Sequence, residues 1–381
     1  MTGPISTRAR LLAPNEDLCR QATSAARFVK TMAAQPVREC ITNAHSQFKL
    51  LEFAGHYWPI TIENNQLGNT YVASPHSAYV LYARDEIDIL NLKGARHLGA
   101  KVALAGLDRW LKALAINRTV HIDNWMLSTN LHGNWEGAGL PQIRQAVTQA
   151  FPKHLPIIRN VDPWSCPQLL ESLRADGWTL LPSRQIWVTD DLEKNWKPRS
   201  HTKSDRRALR RSALEIEDLV SVGEQDAERI AELYAQLYLE RYSSLNPAYS
   251  ARFVKLASKS RALRWRVARN AHGTIMASAG MRIAGDIVTV PMLGYDTQRP
   301  QSEALYRIAS LLSAEWAMER GLRHHGSSGA GQFKSNRGAC GVIEYMAVHT
   351  GHLPIGRRQG IKALSATLNR TMAPALQKRG W

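Results

Sequence analysis

RWRVARNAHGTIMASAGMRIAGDIVTVPMLGYDT, residues 264–297, is the stretch on which the fold class turns. Three runs with strand-forming residues follow one another here, separated by Asn270 with Gly273 and by Gly285 with Asp286. Short runs rich in Val, Ile and Trp, punctuated by turn residues, predict three consecutive strands joined by tight turns. The next stretch, PQSEALYRIASLLSAEWAMERG (300–321), changes period. Leu305, Ile308, Leu311, Leu312 and Trp316 recur at helical spacing, and Gly321 supplies a stop. Upstream, LEIEDLV (214–220) reads as a strand, EQDAERIAELYAQLYLERY (224–242) as an amphipathic helix and NPAYSARFVKLAS as a second helix. Downstream, RHHGSSGAGQFKSNRG is rich in glycine and GVIEYMAVHT (341–350) is a last strand. Strand, two helices, three strands, long helix and further strands describe a mixed α/β unit.

The first half reads as a looser version of the same order. Residues 1–50 are predicted to be helical, in QATSAARFVKTMAA and again in VRECITNAHSQFKLLEF. WPITI (58–62), SAYVLYARDE (77–86), TVHIDNWMLSTNL (119–131) and LPIIRNV (155–161) are strand candidates. Residues 98–116 carry Val102, Leu104, Leu107, Trp110, Leu111 and Leu114 at helical spacing. PQIRQAVTQAF (141–151) and PQLLESLRADG (167–177) are short helices, and WTLLPSRQIWVTDD (178–191) returns as a strand or bent strand pair. Composition then shifts: residues 194–211 hold eight basic residues against one acid, Asp205. A junction falls there. The division is an extension 1–50, a lobe 51–193, a basic linker helix 194–213, a second lobe 214–350 and a basic tail 351–381.

Of 381 residues, 44% are hydrophobic and 21% charged, which excludes collagen, coiled coil and wholesale disorder. The net charge of +17 favours polyanionic partners: nucleic acid, phosphorylated cofactors, acidic carrier proteins or anionic lipid surfaces. Cys19, Cys40, Cys166 and Cys340 form no C-x-x-C pair and share no metal-ligand spacing, so reduced thiols and no metal site are expected. The first residues lack an apolar signal-peptide core, and no apolar run reaches the length of a membrane span. A cytoplasmic protein is the expectation.

The order of elements in 214–350, together with Gly294-Tyr295-Asp296, Leu305-Tyr306 and Gly329-Ala330-Gly331-Gln332-Phe333-Lys334, resembles the GNAT acyltransferase superfamily. With its looser first half, the chain is similar to the Fem family of aminoacyl-tRNA-dependent transferases and equally to the GNAT-type acetyltransferases related to it. The resemblance covers about residues 50–350. It implies two GNAT-like lobes, each a central mixed sheet flanked by helices. It further implies an N-acyltransferase that forms an amide on an amine or amino-acid acceptor. The donor would be a thioester on CoA or acyl-carrier protein, narrowly ahead of aminoacyl-tRNA, with no tightly bound cofactor. The reading from another class is a non-catalytic nucleic-acid- or membrane-binding protein on this scaffold. In one respect the chain departs from the pattern. The glycine-bearing Q/R-x-x-G-x-G/A loop that grips a pyrophosphate at a helix N-terminus is replaced by Tyr295-Asp-Thr-Gln-Arg-Pro-Gln-Ser-Glu303, where Arg299 is the group left to meet a phosphate.

Amide-forming acyl transfer requires an aligned, deprotonated amine and donors for an oxyanion. Lys334, beside Gly329 and Gly331, is a candidate oxyanion or phosphate clamp, or else an exposed loop lysine. By the resemblance, Phe333 and Lys334 hold the transferred acyl group. Asp296, at a strand end, is a candidate base or equally an N-cap, and Tyr295 a pocket wall or core. His324 and His325 point to opposite faces if they lie in a strand, and His325 is taken as the substrate-side member. Glu344 on the last strand could receive an acceptor amine or be structural. Ser327-Ser328-Gly329 lacks the G-x-S-x-G context of a serine hydrolase. Lys203, Arg206, Arg207, Arg210 and Arg211 fall close to one helix face. They form a solvated linker, a face for a polyanionic donor carrier, or a membrane-surface contact.

Overall fold

In the computed structural model, residues 8–13, 16, 18, 23–89 and 94–379 are described. The strands are β1 (Arg10–Leu11), β2 (Gln47–Phe53), β3 (His56–Asn64), β4 (Arg118–Ile122), β5 (Leu155–Val161), β6 (Thr179–Thr189), β7 (Glu215–Leu219), β8 (Arg264–Arg269), β9 (Ile275–Ala284), β10 (Ile287–Tyr295), β11 (Arg323–His325) and β12 (Cys340–Val348). The α-helices are α1 (Ser24–Ala33), α2 (Tyr82–Ile89), α3 (Gly94–Ala113), α4 (Leu140–Ala150), α5 (Pro167–Ala175), α6 (Leu192–Asn195), α7 (Ser200–Arg211), α8 (Glu224–Ala235), α9 (Ala251–Lys259), α10 (Leu305–Met318), α11 (Gly331–Ser335) and α12 (Ile355–Arg379). The mixed α/β class is the one the sequence predicts. The three strands within 264–297 are β8, β9 and β10, and the expected face of α10, Leu305, Ile308, Leu311, Leu312 and Trp316, is buried against β9 and β10. Each such aliphatic side chain contributes about 1.5–3 kcal/mol of transfer free energy.

All strands join one 12-stranded sheet in the order β1-β2-β3-β4-β5-β12-β6-β11-β10-β9-β8-β7. The order is symmetric about its centre, where β1 to β5 mirror β7 to β11. β4 runs parallel to β5 and β10 parallel to β11. The innermost strands are exchanged: β12 from the second half lies on β5, and β6 from the first half lies on β11. β6 and β12 pair with each other antiparallel along their whole length, Cys340 opposite Val188 and Val348 opposite Thr179. β5 is buried at every position, as a central strand covered on both faces must be.

β10 and β11 pair only through Ile287, Val288 and Thr289. β10 then shifts register against β9 between Thr289 and Met292, around Pro291, which has no N–H to give the ladder. Beyond that point β10 and β11 part, and the gap between them is one wall of a cavity.

Several elements differ from the sequence reading. Residues 77–86 are a π-helical turn (Ser77–Leu81) leading into α2, not a strand. The strand expected over 119–131 stops at Ile122, because Asp123 and Met126 adopt left-handed φ of 54° and 57°. VRECITNAHSQFKLLEF is not helical: it holds a 3₁₀ turn at Val37–Glu39 and then β2. Val102 on α3 is exposed, whereas Leu111 and Leu114 are buried. The basic tail forms α12, which seats Ile361, Leu364 and Leu368 in the core. Cys19 lies outside the described residues. Cys40 and Cys166 are buried and Cys340 is exposed.

Gly338, between α11 and β12, has φ of 86°, and a Cβ there would overlap the carbonyl of Asn195. Gly338→Ala combines left-handed strain with a backbone clash. It is expected to cost about 2–4 kcal/mol in denaturant titration, the sum of those two effects.

Candidate functional site

The loop after β11 turns through left-handed residues at Ser327, Gly329 and Ala330 and delivers the chain into α11. This brings Lys334 back over its own loop, where Nζ donates to the Ser328 carbonyl at 2.8 Å and, more weakly, toward that of Ser327 at 3.5 Å. No carboxylate pairs with it among the described residues. Burial, reinforced by the nearby charge of Arg184, pulls the Lys334 ammonium down to about 7. Phe333 packs on Tyr306 at 4.8 Å between ring centres and carries the Arg337 guanidinium 3.4 Å over its ring. Arg337 also donates to buried Asp205 at 2.6 and 3.0 Å, and Arg307 donates to the same carboxylate at 2.6 Å. Asp205 thereby ties α7 to α10 and to the turn that follows α11.

A cavity of about 970 Å³ lies between this loop and the sheet seam. Its β10–α10 side is formed by Val290, Leu293, Tyr306, Ser310, Ser313 and Ala314 and carries no charge. Another part of the lining, its end at the sheet seam, is charged. Strand exchange sets Arg184 of β6 directly across from Glu344 of β12. Arg184 clasps that carboxylate with Nε at 2.8 Å and Nη2 at 3.1 Å. Burial alone would raise the Glu344 carboxyl, but the guanidinium overrides it and holds the group below its usual range. Nη2 of Arg184 also donates to Thr129 Oγ1 at 3.0 Å, and Thr129 meets the Ser327 hydroxyl at 3.1 Å. The chain Glu344–Arg184–Thr129–Ser327 thus links the seam to the lysine loop. Arg159 of β5 lines the same end. Tyr71, Tyr82, Tyr238 and Tyr242 also line the cavity, with Met346, Met372 and Leu376.

The sequence-predicted residues divide into two groups. Lys334, Phe333, Gly329, Gly331 and Glu344 line the cavity together. Tyr295, Asp296, Arg299 and His325 are not among its lining residues. The Asp296 carboxylate accepts from Arg229 at 2.7 Å and from the Gln298 N–H at 3.0 Å. Tyr295 accepts from Arg241 at 3.0 Å and packs behind the lining, with Tyr306 5.8 Å away between ring centres. Arg299 pairs with Glu303. The two histidines do point to opposite faces. His324 lines the cavity, with Nε2 3.3 Å from Ser313 Oγ, and burial plus the Lys334 charge push it down to about 4. His325 faces Trp164 on the other side, accepts from the Ser327 N–H at 3.1 Å and is pushed down by burial to about 3. On α7, Lys203, Arg207, Arg210 and Arg211 are exposed and make no ion pair among the described residues. Arg206 instead pairs with Glu315 at 2.5 Å and lies over Trp196.

Sequence reasoning missed Arg159, Arg184, His324 and the Thr129–Ser327 link. A signal existed for the arginines: each is the one charge in a largely apolar strand, LPIIRNV and LLPSRQIWV. A charge at such a position is rarely fully buried unless it is paired. Among the described residues no cluster of His, Cys, Asp and Glu is arranged to hold a metal, and no helix is long and apolar enough to cross a membrane.

No protein-family model matches the chain, and no curated protein matches it in sequence. Solved structures do. L-PGS from Bacillus licheniformis is similar at 12% identity and a TM-score of 0.45, over 60% of this chain and 79% of that one. FemX is similar at 10% identity and a TM-score of 0.43, over 55% and 75%. A tandem GNAT protein from the clavulanic acid biosynthesis pathway is similar at 12% identity and a TM-score of 0.38, over 89% and 98%. The neighbours thus include GNAT and Fem proteins, while the fold class of this chain stands on its own strand order: a mixed α/β protein whose two halves share one sheet.

Proposed function

We propose that the protein is an acyltransferase that forms an amide between a thioester-borne acyl group and an amine or amino-acid acceptor. One observation carries the reading: an amine that titrates near neutrality, Lys334, stands in a large cavity at the parting of β10 and β11. The uncharged β10–α10 wall suits the acyl thioester, on CoA or acyl-carrier protein. The acceptor nitrogen attacks the thioester carbonyl, a C–N bond forms and the C–S bond breaks. Neutral Lys334 takes the proton that the nitrogen sheds and returns it to the departing thiolate, so neither group is consumed. The Ser327 hydroxyl is at hand as a donor to the oxyanion.

The exposed cations of α7, anchored to the site through Asp205, fit an anionic donor carrier. Arg207→Gln, Arg210→Gln and Arg211→Gln together are expected to raise the donor KM about tenfold at low salt and to flatten its salt dependence. Turnover at saturating donor should stay unchanged, because such groups bind ground and transition states alike. The deciding assay offers acyl-CoA, acyl-carrier protein and aminoacyl-tRNA in parallel, with and without ribonuclease. Ribonuclease-resistant amide from a thioester supports the proposal. Ribonuclease-sensitive product would replace it with aminoacyl transfer from tRNA, and no product from any donor would leave the non-catalytic class.

A further inference from the structure

Arg159 is 6% exposed, and its guanidinium meets no carboxylate among the described residues. Nη1 donates to the Val72 carbonyl at 2.9 Å, to Asn124 Oδ1 at 3.3 Å and to the Leu127 carbonyl at 3.5 Å. Nε and Nη2 make no hydrogen bond within the protein among those residues. A buried guanidinium held only by neutral oxygens keeps its full charge uncompensated, which is costly unless a ligand supplies the counter-charge. Among the described residues the Glu344 carboxylate reaches Arg159 with its charge, but it is already paired and makes no contact with that guanidinium. Glu344 is clasped by Arg184, and Asp205 balances Arg337. Arg159 remains as the lining guanidinium without a carboxylate partner among the described residues.

We infer that Arg159 is the carboxylate anchor of the cavity and that the acceptor is an α-amino acid with an apolar or aromatic side chain. The term acceptor rests on the acyltransfer reading; the carboxylate subsite does not. The arrangement distributes such a molecule without conflict. The uncharged β10–α10 wall takes the acyl chain. Arg159, at the seam, takes the carboxylate in the forked geometry a guanidinium prefers. Arg184 is close enough for its charge to be felt by both Arg159 and Lys334, and in the inferred pose the amino group one carbon from the carboxylate faces the lysine. Tyr71, Tyr82, Tyr238 and Met346 leave an aromatic and thioether surface for the side chain.

The test uses a product-like probe and needs no turnover. N-acetyl-L-phenylalanine and its uncharged amide, N-acetyl-L-phenylalaninamide, are titrated by calorimetry into the full-length protein, Arg159→Gln and Arg159→Lys. The wild type is expected to bind the acid at least tenfold more tightly than the amide. Arg159→Gln should bring the two within about twofold, and Arg159→Lys, a charge without the fork, should keep part of the preference. Equal binding of acid and amide by the wild type, binding of neither at millimolar concentration, or an undiminished preference in Arg159→Gln would each overturn the inference. Should Arg159→Gln fail to fold, the wild-type comparison and Arg159→Lys decide. Preference for the acid with no acyl transfer from any donor would sink the proposed function and leave the subsite standing. Transfer that is equally efficient to amines without a carboxylate would do the reverse.

Discussion

Lys334→Met is expected to lower kcat by about 10²–10³-fold, the scale of losing one positioned proton acceptor or oxyanion donor. The pH profile separates those roles. If the neutral amine is the base, log kcat in the wild type rises with unit slope up to about pH 7 and is flat above it. Protonation removes the base tenfold per pH unit on the acid side of its titration at about 7. His324, pushed down to about 4, cannot supply that limb. Lys334→Arg keeps a cation that does not titrate in this range. It should lose both activity and the limb, whereas retention of full activity by Lys334→Arg would mean that a fixed positive charge is all the site requires. Circular dichroism should be unchanged, since Nζ is held by only two backbone carbonyls.

Glu344→Ala carries the largest expected effect on stability. It strands Arg184 in the sheet centre without its carboxylate, a change of about 3–5 kcal/mol. Against a typical domain stability of about 5–15 kcal/mol, that is roughly a fifth or more, and the thermal midpoint should fall accordingly. Glu344→Gln should cost less, because an amide oxygen can still accept from Nε. The double replacement Arg184→Met with Glu344→Leu should recover most of the lost stability, as apolar pairs of similar volume do elsewhere, and yet leave the protein inactive. A double variant that is as unstable as Glu344→Ala would show that the pair is held for folding rather than for the site.

The second half of the fold was legible because its strands and its long helix advertise their periods. The turn-punctuated runs of 264–297 and the helical recurrence of Leu305, Ile308, Leu311, Leu312 and Trp316 needed no tertiary context. SAYVLYARDE misled because Tyr79 and Val80 are strand-formers by composition, yet they are buried side by side in a helical turn. TVHIDNWMLSTNL misled because its apolar content continues past Ile122, while the backbone leaves the strand at Asp123, whose carboxylate accepts from Trp125 and meets His132. The site shows the same limit. Lys334 and Phe333 were legible through the glycine loop beside them. Arg184 and Glu344 lie 160 residues apart and meet only because two strands change halves, a pairing that no local pattern encodes. Asp296 was an expectation drawn from its place at a strand end, and the competing partner, Arg229, sits on a helix that the reading treated only as amphipathic.

The exchanged strands also bear on how the chain is made. β5 leaves the ribosome some 180 residues before β12, the strand that closes its inner edge. At about 5–20 residues per second, that interval is roughly 10–40 s. Throughout it, β5 offers an unpaired edge whose every residue is destined for burial, and β6 waits beside the same gap. Nascent chains in this state resemble aggregation templates more than folded intermediates, and they call for shielding by a chaperone until Cys340–Val348 emerges. A premature stop anywhere before that strand therefore yields no half-sized working protein, only two sheet edges open at the centre.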